Sequence, residues 1–422
     1  MKPVRCMRGA AALAATMVML LLAAMLAAQT TRQIWFDAKE IQRREFSLQA
    51  AAAADAGAAW VLAMLNANVW PQTCEPDTQG SRGAKLYRDL VLQFDAAGRI
   101  QLPSSAAGVQ GVCRMRDSAW TCQCRPPVLP KPEGIEGGPP SPSFQVRLQG
   151  LSRPGTVRVT VSACSHAPGI CNSPHNDAAQ ASVEQDLALY SALRNPPRAA
   201  LLSVGIVHLD NAANAMAALP AITNTAEPQA PLIVQTGADI VGNTSGLHAG
   251  SGTNSAPMIR SFQPHLQYKL RDTLFLQQFG VPRAAYMHQA AMRHIDCNSG
   301  QDCSNALNQA QLGGARLLGI PGPAQIDGAL NLGDALHPVV LFVDGDLRID
   351  GPAHLHGLLI VGGDLDWQAL AGQTSRIEGA VICLGQTHLR GPVWLDHAPA
   401  LLERLRLQQG SFVPLPGSWT SS

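Results

Sequence analysis

AAALAATMVMLLLAAMLAA, residues Ala10 to Ala28, carries no charge. As a helix rising about 1.5 Å per residue it spans about 28 Å, against roughly 30 Å for the hydrocarbon core of a bilayer. It is long enough to cross. Lys2, Arg5 and Arg8 precede it, so the positive-inside tendency puts residues 1–9 in the cytoplasm as a leader and the rest of the chain outside it. A secretory signal peptide is the rival reading, but Met25 or Leu26 stands where cleavage near Ala27 or Ala28 needs a small residue. Nor does the helical pattern stop at the membrane. From Gln29 to Trp70 there is no proline and one glycine, Gly57, and good helix formers dominate. Ile34, Ile41, Leu48 and Leu62 keep a seven-residue spacing beside Ala38, Ala52 and Ala59, with Glu45 and Asp55 as interruptions. This predicts one helix from Ala10 to Trp70, about 90 Å long, stopped by Pro71.

A cationic leader ending in Arg8-Gly9, followed by a membrane-length apolar run and a long amphipathic helix, resembles the start of type IV pilin-like proteins. The stretches RGAAALAATMVMLLLAAMLAAQTTRQ and EIQRREFSLQAAAAADAGAAW look like the N-terminus of PilX-type minor pilins and pilus assembly proteins. Thr30 and Thr31 match that family's threonine pair after the membrane run, and Phe46-Ser-Leu-Gln-Ala-Ala matches its "LAFQAAEAAL"-like segment. The resemblance implies processing by prepilin peptidase between Gly9 and Ala10. It also implies helix packing against other pilins, for which Leu20, Leu21, Leu22, Met25 and Ile34 are the expected surface. The chain departs from major pilins at Ala14, which stands where they carry glutamate.

The formal net charge is +1, and no basic block occurs outside the leader, which excludes nucleic acid as an expected partner. Ten cysteines in a chain directed across a membrane read as a disulfide framework formed in an oxidising periplasm. Cys164 with Cys171 and Cys297 with Cys303 are the expected pairs. For Cys74, Cys113, Cys122 and Cys124 the spacing leaves the connectivity open. Metal binding by Cys122-Gln-Cys124 is disfavoured because no second pair follows at zinc-site spacing. Cys383, inside the apolar run AVICLG, reads as a buried thiol.

After the helix, Val91–Phe94 and Arg99–Leu102 flank Asp95-Ala-Ala-Gly98 as a hairpin. Residues 125–143, RPPVLPKPEGIEGGPPSPS, form a proline- and glycine-rich loop. Alternating Phe144, Val146 and Leu148, then Val157, Val159 and Val161, and then Val183 to Leu189 predict a small antiparallel sheet. Packed on the helix, it makes residues 29–195 a periplasmic, pilin-like α+β module ending at Pro196-Pro197.

Gly345, Gly351, Gly357 and Gly363 fall six residues apart, and Gly379, Gly385 and Gly391 resume the interval. Val343-Asp-Gly-Asp-Leu347 recurs as Val361-Gly-Gly-Asp-Leu365. Short apolar strands at fixed glycine intervals predict stacked rungs, an all-β parallel β-helix or solenoid over residues 196–400, with a helical insertion at about 264–312 and a cap and tail at 401–422. No helix follows the glycines, which excludes a Rossmann loop. Asp272-Thr-Leu-Phe-Leu-Gln-Gln-Phe-Gly280 and Pro338-Val-Val-Leu-Phe-Val-Asp-Gly-Asp-Leu347 resemble, in the same order, the "DxFFxxFFG" helix and "VDGDLxIxG" repeat of larger PilX-family proteins.

Chemistry is sparse. Asp344 and Asp346 begin like a calcium loop, but Arg348 and Ile349 occupy positions that need a ligand and a glycine. His354 and His356 share a strand face, as rung residues more readily than as metal ligands. Asp364 and Asp366 invite a polysaccharide-cleaving reading, but a rung turn explains them as well. The expectation is therefore a non-enzymatic, cofactor-free minor pilin-like component, single-pass in the inner membrane. Its expected partners are other pilins and assembly proteins, at a pilus tip or priming complex. A membrane-tethered polysaccharide enzyme and a surface adhesin of unknown ligand are the alternatives.

Overall fold

The structure, a computed structural model, describes residues 8–71, 73–77, 83–103, 109–124, 141–165, 178–211, 219–225, 232–249, 258–297, 300–369, 372–373 and 375–422. The expected proline- and glycine-rich loop falls mostly outside them. A single helix runs from Arg8 to Leu65. It stops short of the expected Trp70, and the Asn66 side-chain amide ties its end to the C-terminal strand. Asn66 Nδ2 donates to the Phe412 carbonyl at 3.0 Å, and its Oδ1 accepts from Phe412 N at 2.7 Å.

The C-terminal third of the helix lies on a seven-stranded antiparallel sheet. The strands are ordered Gly410–Pro414, Gln180–Ser191, Thr156–Cys164, Ser143–Gly150, Gly111–Arg116 and Ala119–Cys124, with Thr420–Ser421 also on Gln180–Ser191. The buried helix face is Phe46, Ala50, Ala53, Ala54, Gly57, Ala58, Val61, Met64 and Leu65. Most of the expected seam is on the other side: Leu48, Ala52 and Ala59 face solvent, while Leu62 is half-buried against the core. Small side chains win the interface because the backbones come close. A Cβ on Gly57 would stand 2.5 Å from Val161 Cγ1 and 2.9 Å from Phe144 Cδ2. The expected hairpin is present in shorter form, Gln93–Phe94 on Ile100–Gln101, because Val91 ends a short helix, Tyr87–Val91.

Among the described residues beyond Ala199, all strand pairing outside this sheet is parallel, in a 12-stranded and a 6-stranded sheet. The chain visits them in a regular order. Val339–Val343 lies in the larger sheet, Leu347–Ile349 in the smaller, and Ala353–Val361 returns to the larger. The strands Ala353–Val361 and Ser375–Cys383 serve two rows each. Residues 353–355 pair with Leu330–Leu332 and residues 357–361 with Val339–Val343, so the larger sheet folds at Gly357 and, one row on, at Gly379. Those two glycines have φ of +143° and +147°, and a Cβ on Gly379 would stand 1.7 Å from the Gly357 carbonyl oxygen. Only glycine fits.

The interior is filled by one side chain in two: Leu347 and Ile349, Leu365 and Trp367, Leu389, Val393 and Leu395. Rows such as VVLFV and AVICL are apolar throughout because their outer side is covered as well. Val340, Phe342, Leu358, Ile360, Ala380 and Ile382 meet Phe275, Phe279, Tyr286, Leu402 and Leu405 of the flanking helices. The stacking order departs from chain order. Ala199–Ser203 pairs with Ser375–Cys383 on one side and Leu232–Thr236 on the other, so the first rows are added to the far edge of the last.

The expected second helix of the insertion, residues 283–294, covers only Arg283–Met287. Met292–His294 is instead an edge strand on Leu317–Ile320, whose ladder overrides local helix propensity. Helix Ser304–Leu312 puts Leu307 and Ala310 over the open end of the core. The expected C-terminal tail is structured: helix Pro399–Gln408 covers the outer face, and the strands after it complete the antiparallel sheet.

Candidate functional site: the protruding half of the long helix

Every side chain described from Ala12 to Glu45 is exposed. Nine large apolar side chains stand in this segment before the first charge: Leu13, Met17, Val18, Met19, Leu20, Leu21, Leu22, Met25 and Leu26. Burying each is worth about 2 kcal/mol, so on the order of 20 kcal/mol favours covering this surface. The polar groups inside the run are satisfied within the helix. Thr16 donates to the Leu13 carbonyl at 2.9 Å, and Thr31 to that of Ala27 at 2.8 Å. This segment is the one helix among the described residues long and apolar enough to cross a membrane, a property that membrane anchors and signal sequences share.

Of the residues expected to act, Gly9 and Ala10 lie in the first turns of the helix backbone. Leu20, Leu21, Leu22, Met25 and Ile34 are exposed, Leu20 to 70%. The sequence reading passed over the next stretch. Trp35 and Phe36, both about half exposed, sit edge to face at 5.5 Å. The Lys39 ammonium lies 4.2 Å from the Trp35 ring centre and the Arg32 guanidinium 5.6 Å from that of Phe36. The spacing Arg32-x-x-Trp35-Phe36-x-x-Lys39 was the available signal, since i, i+3, i+4 and i+7 share one helix face.

Disulfides join Cys74 to Cys124, Cys113 to Cys122 and Cys297 to Cys303. Both cysteines of Cys122-Gln-Cys124 are thus consumed, and the metal reading fails. Cys164 is buried at a strand end, while Cys171 lies outside the described residues. Cys383 is buried and unpaired, and burial pushes its thiol up to about 11.

Of the acidic residues of the repeat, Asp346, Asp364 and Asp366 line a shallow pocket of about 340 Å³ with Arg348 and Gln325, and Asp344 lies outside it. Each is engaged by the protein. Asp346 Oδ1 accepts from Asp364 N at 2.8 Å, and Asp364 Oδ1 accepts from Gln386 N at 2.7 Å. The turn aspartates therefore tie successive rows together rather than bonding their own turn. Asp366 meets Arg390 at 2.5 Å, and Asp344 pairs with Arg283. His354 and His356 share a strand, with His356 Nδ1 3.2 Å from Glu378. Among the described residues no three metal-ligating side chains converge.

No family model matches the chain, and no curated protein matches it. Among solved structures it is similar to the competence-associated pilin ComZ of Thermus thermophilus, at 12% identity over 89% of this chain and 97% of that one, with a TM-score of 0.22. None of these comparisons singles out a PilX-type protein.

Proposed function

We propose that the protein is a non-enzymatic, PilX-type minor pilin-like component of type IV pilus assembly, held in the inner membrane by one pass with its N-terminus in the cytoplasm. The observation that carries this reading is the division of one continuous helix. Residues 12–45 are exposed and begin with a membrane-length apolar run, while residues 46–65 form the spine of an α+β module. Such a helix can exchange lipid for neighbouring pilin helices without the body unfolding. The parallel sheets are read as a β-solenoid set in the periplasm, too bulky to repeat along a thin filament, which favours a tip or priming position. Engagement of Asp344, Asp346, Asp364 and Asp366 by the protein's own groups supports a scaffold over a catalytic face.

Intact mass and N-terminal sequencing of the protein recovered from membranes and from sheared surface filaments test this reading. A chain beginning at Ala10 and present in filaments is expected. A chain with an intact leader, confined to membranes, would overturn the pilin role, and labelled protein all along the filaments would overturn the tip position.

A further inference from the structure

The half-exposed pair Trp35 and Phe36 is separated from the apolar run by Gln29, Thr30, Thr31, Arg32, Gln33 and Ile34, and lies before the body begins at Phe46. The uncharged stretch from Gly9 to Thr31 has its midpoint at Leu20. With that residue at the bilayer midplane and an ordinary tilt of about 20°, Arg32 lies about 17 Å, Trp35 about 21 Å and the Lys39 backbone about 27 Å from the midplane, and the Lys39 ammonium reaches back to 4.2 Å from the Trp35 ring centre. The headgroup layer ends roughly 20–22 Å from the midplane, so Arg32 and Trp35 bracket its outer part.

The chemistry fits that depth. Arg32 and Lys39 make no ion pair among the described residues, whereas Glu40 is held by Arg44 at 2.6 Å. Asp37 lies about 140° around the helix from Arg32, on the opposite face. The stripe thus presents two cations, one amphipathic indole and one apolar phenyl ring with no carboxylate between them.

Resting on the membrane-anchored reading above, we propose that Arg32, Trp35, Phe36 and Lys39 form a bilayer-surface clasp. Its rings sit among headgroups, and its two cations bind the phosphate oxygens of anionic phospholipids on the outer side of the membrane. The clasp fixes the depth and the rotation of the helix, and so sets which face of the apolar run can meet another helix. The polar turns from Asp37 to Glu45 then hold the body clear of the lipid.

The full chain is reconstituted in phosphatidylcholine vesicles with and without phosphatidylglycerol, and vesicle flotation records whether it is anchored. Tryptophan emission of Trp35→Phe subtracted from that of the parent isolates Trp35 from the other tryptophans. Quenching of this difference by lipids spin-labelled at the headgroup is expected to exceed quenching by mid-chain labels about two-fold, with aqueous iodide having only partial access. Preference for headgroup-labelled anionic over zwitterionic lipid is expected to fall roughly five-fold for each of Arg32→Gln and Lys39→Gln. A chain that floats but whose Trp35 is fully open to iodide and untouched by headgroup labels overturns the clasp and leaves the anchor standing. Quenching without any anionic preference overturns the phosphate contact. A chain that fails to float overturns the anchor, and the clasp with it.

Discussion

Replacement of Gly379 by alanine probes how the parallel rows are held. Its φ is +147°, and an added Cβ would stand 1.7 Å from the carbonyl oxygen and 2.7 Å from the carbonyl carbon of Gly357, itself at φ +143°. The conformational strain alone costs about 1–3 kcal/mol. Relief of the overlap needs the two rows to move apart by more than an ångström, which weakens about two ladder hydrogen bonds at about 1 kcal/mol each. The sum is about 4 kcal/mol. Gly417→Ala is the control: its φ is +77°, with nothing within 4 Å of the new Cβ, so only the left-handed backbone penalty of about 1 kcal/mol applies. For a cooperative unit of roughly 200 residues these values lower the melting temperature by about 8–16 °C and about 2–4 °C respectively. Thermal unfolding of the detergent-solubilised chain, followed by far-UV circular dichroism, measures both. Equal small shifts would mean that the fold at Gly379 yields freely, and that close backbone contact is not what the glycine interval provides.

Three further outcomes are expected. Arg88 is fully buried, with its guanidinium donating to the Gly410 carbonyl at 2.7 Å and to Gln409 Oε1 at 2.6 Å, and burial lowers its pKa to about 10. Arg88→Ala should cost about 3 kcal/mol in urea unfolding and expose amides 410–414 to hydrogen exchange. Burial pushes the Asp302 carboxyl up, but hydrogen bonds from the Ser304 hydroxyl and from Ser304 and Asp327 N–H outweigh it and hold the group at about 2. Because the folded pKa is depressed, this stabilisation is full above the ordinary carboxylate range and is lost as pH falls from about 4 to about 2. After solvent screening it is worth about 1 kcal/mol, and Asp302→Asn should remove that part of the acid sensitivity in a pH series of unfolding midpoints. Leu21→Arg places a charge near the centre of the apolar run at about 3 kcal/mol and should reduce the membrane-integrated fraction, read by alkaline extraction.

Local sterics and burial on both sides of a sheet were legible in the sequence, and so the glycine interval and the apolar rows were readable. A glycine forced by the carbonyl of the row below leaves a periodic mark, and a row such as VVLFV reports that both of its faces are covered. The helix seam was misjudged for a related reason. Hydropathy weights Leu48 and Leu62, but the approach to Val161 and Phe144 is decided by volume, and Ala50, Ala54, Gly57 and Ala58 carry little hydropathic signal. RAAYMHQAAMRH reads as helix because its propensity is local, while the pairing of Met292 with Leu317 is not. At the candidate site the apolar run was plain from composition. The residues of the proposed clasp give little sequence signal, because two aromatics among polar neighbours look like ordinary surface until Lys39 and Arg32 are seen over their rings.

The stacking order was not legible at all, and it bears on function. Leu201 pairs with Val381 and Val207 with Thr387, so rows nearly two hundred residues apart close on each other. The C-terminal strand returns further still, to Asn66 at the end of the long helix. Such contacts close long loops, an entropic cost that slows folding. Once formed they lock each part of the body to both others: the antiparallel sheet is incomplete without residues 410–421, and the parallel rows are split in two without residues 375–397. Displacement of the helix from its sheet would therefore strip a strand from the far end of the chain. Among the described residues, the helix segment before Phe46 stands outside this interlock. A pull on that segment is borne by the whole body rather than by a single module, as the proposed exchange of lipid for neighbouring helices would require.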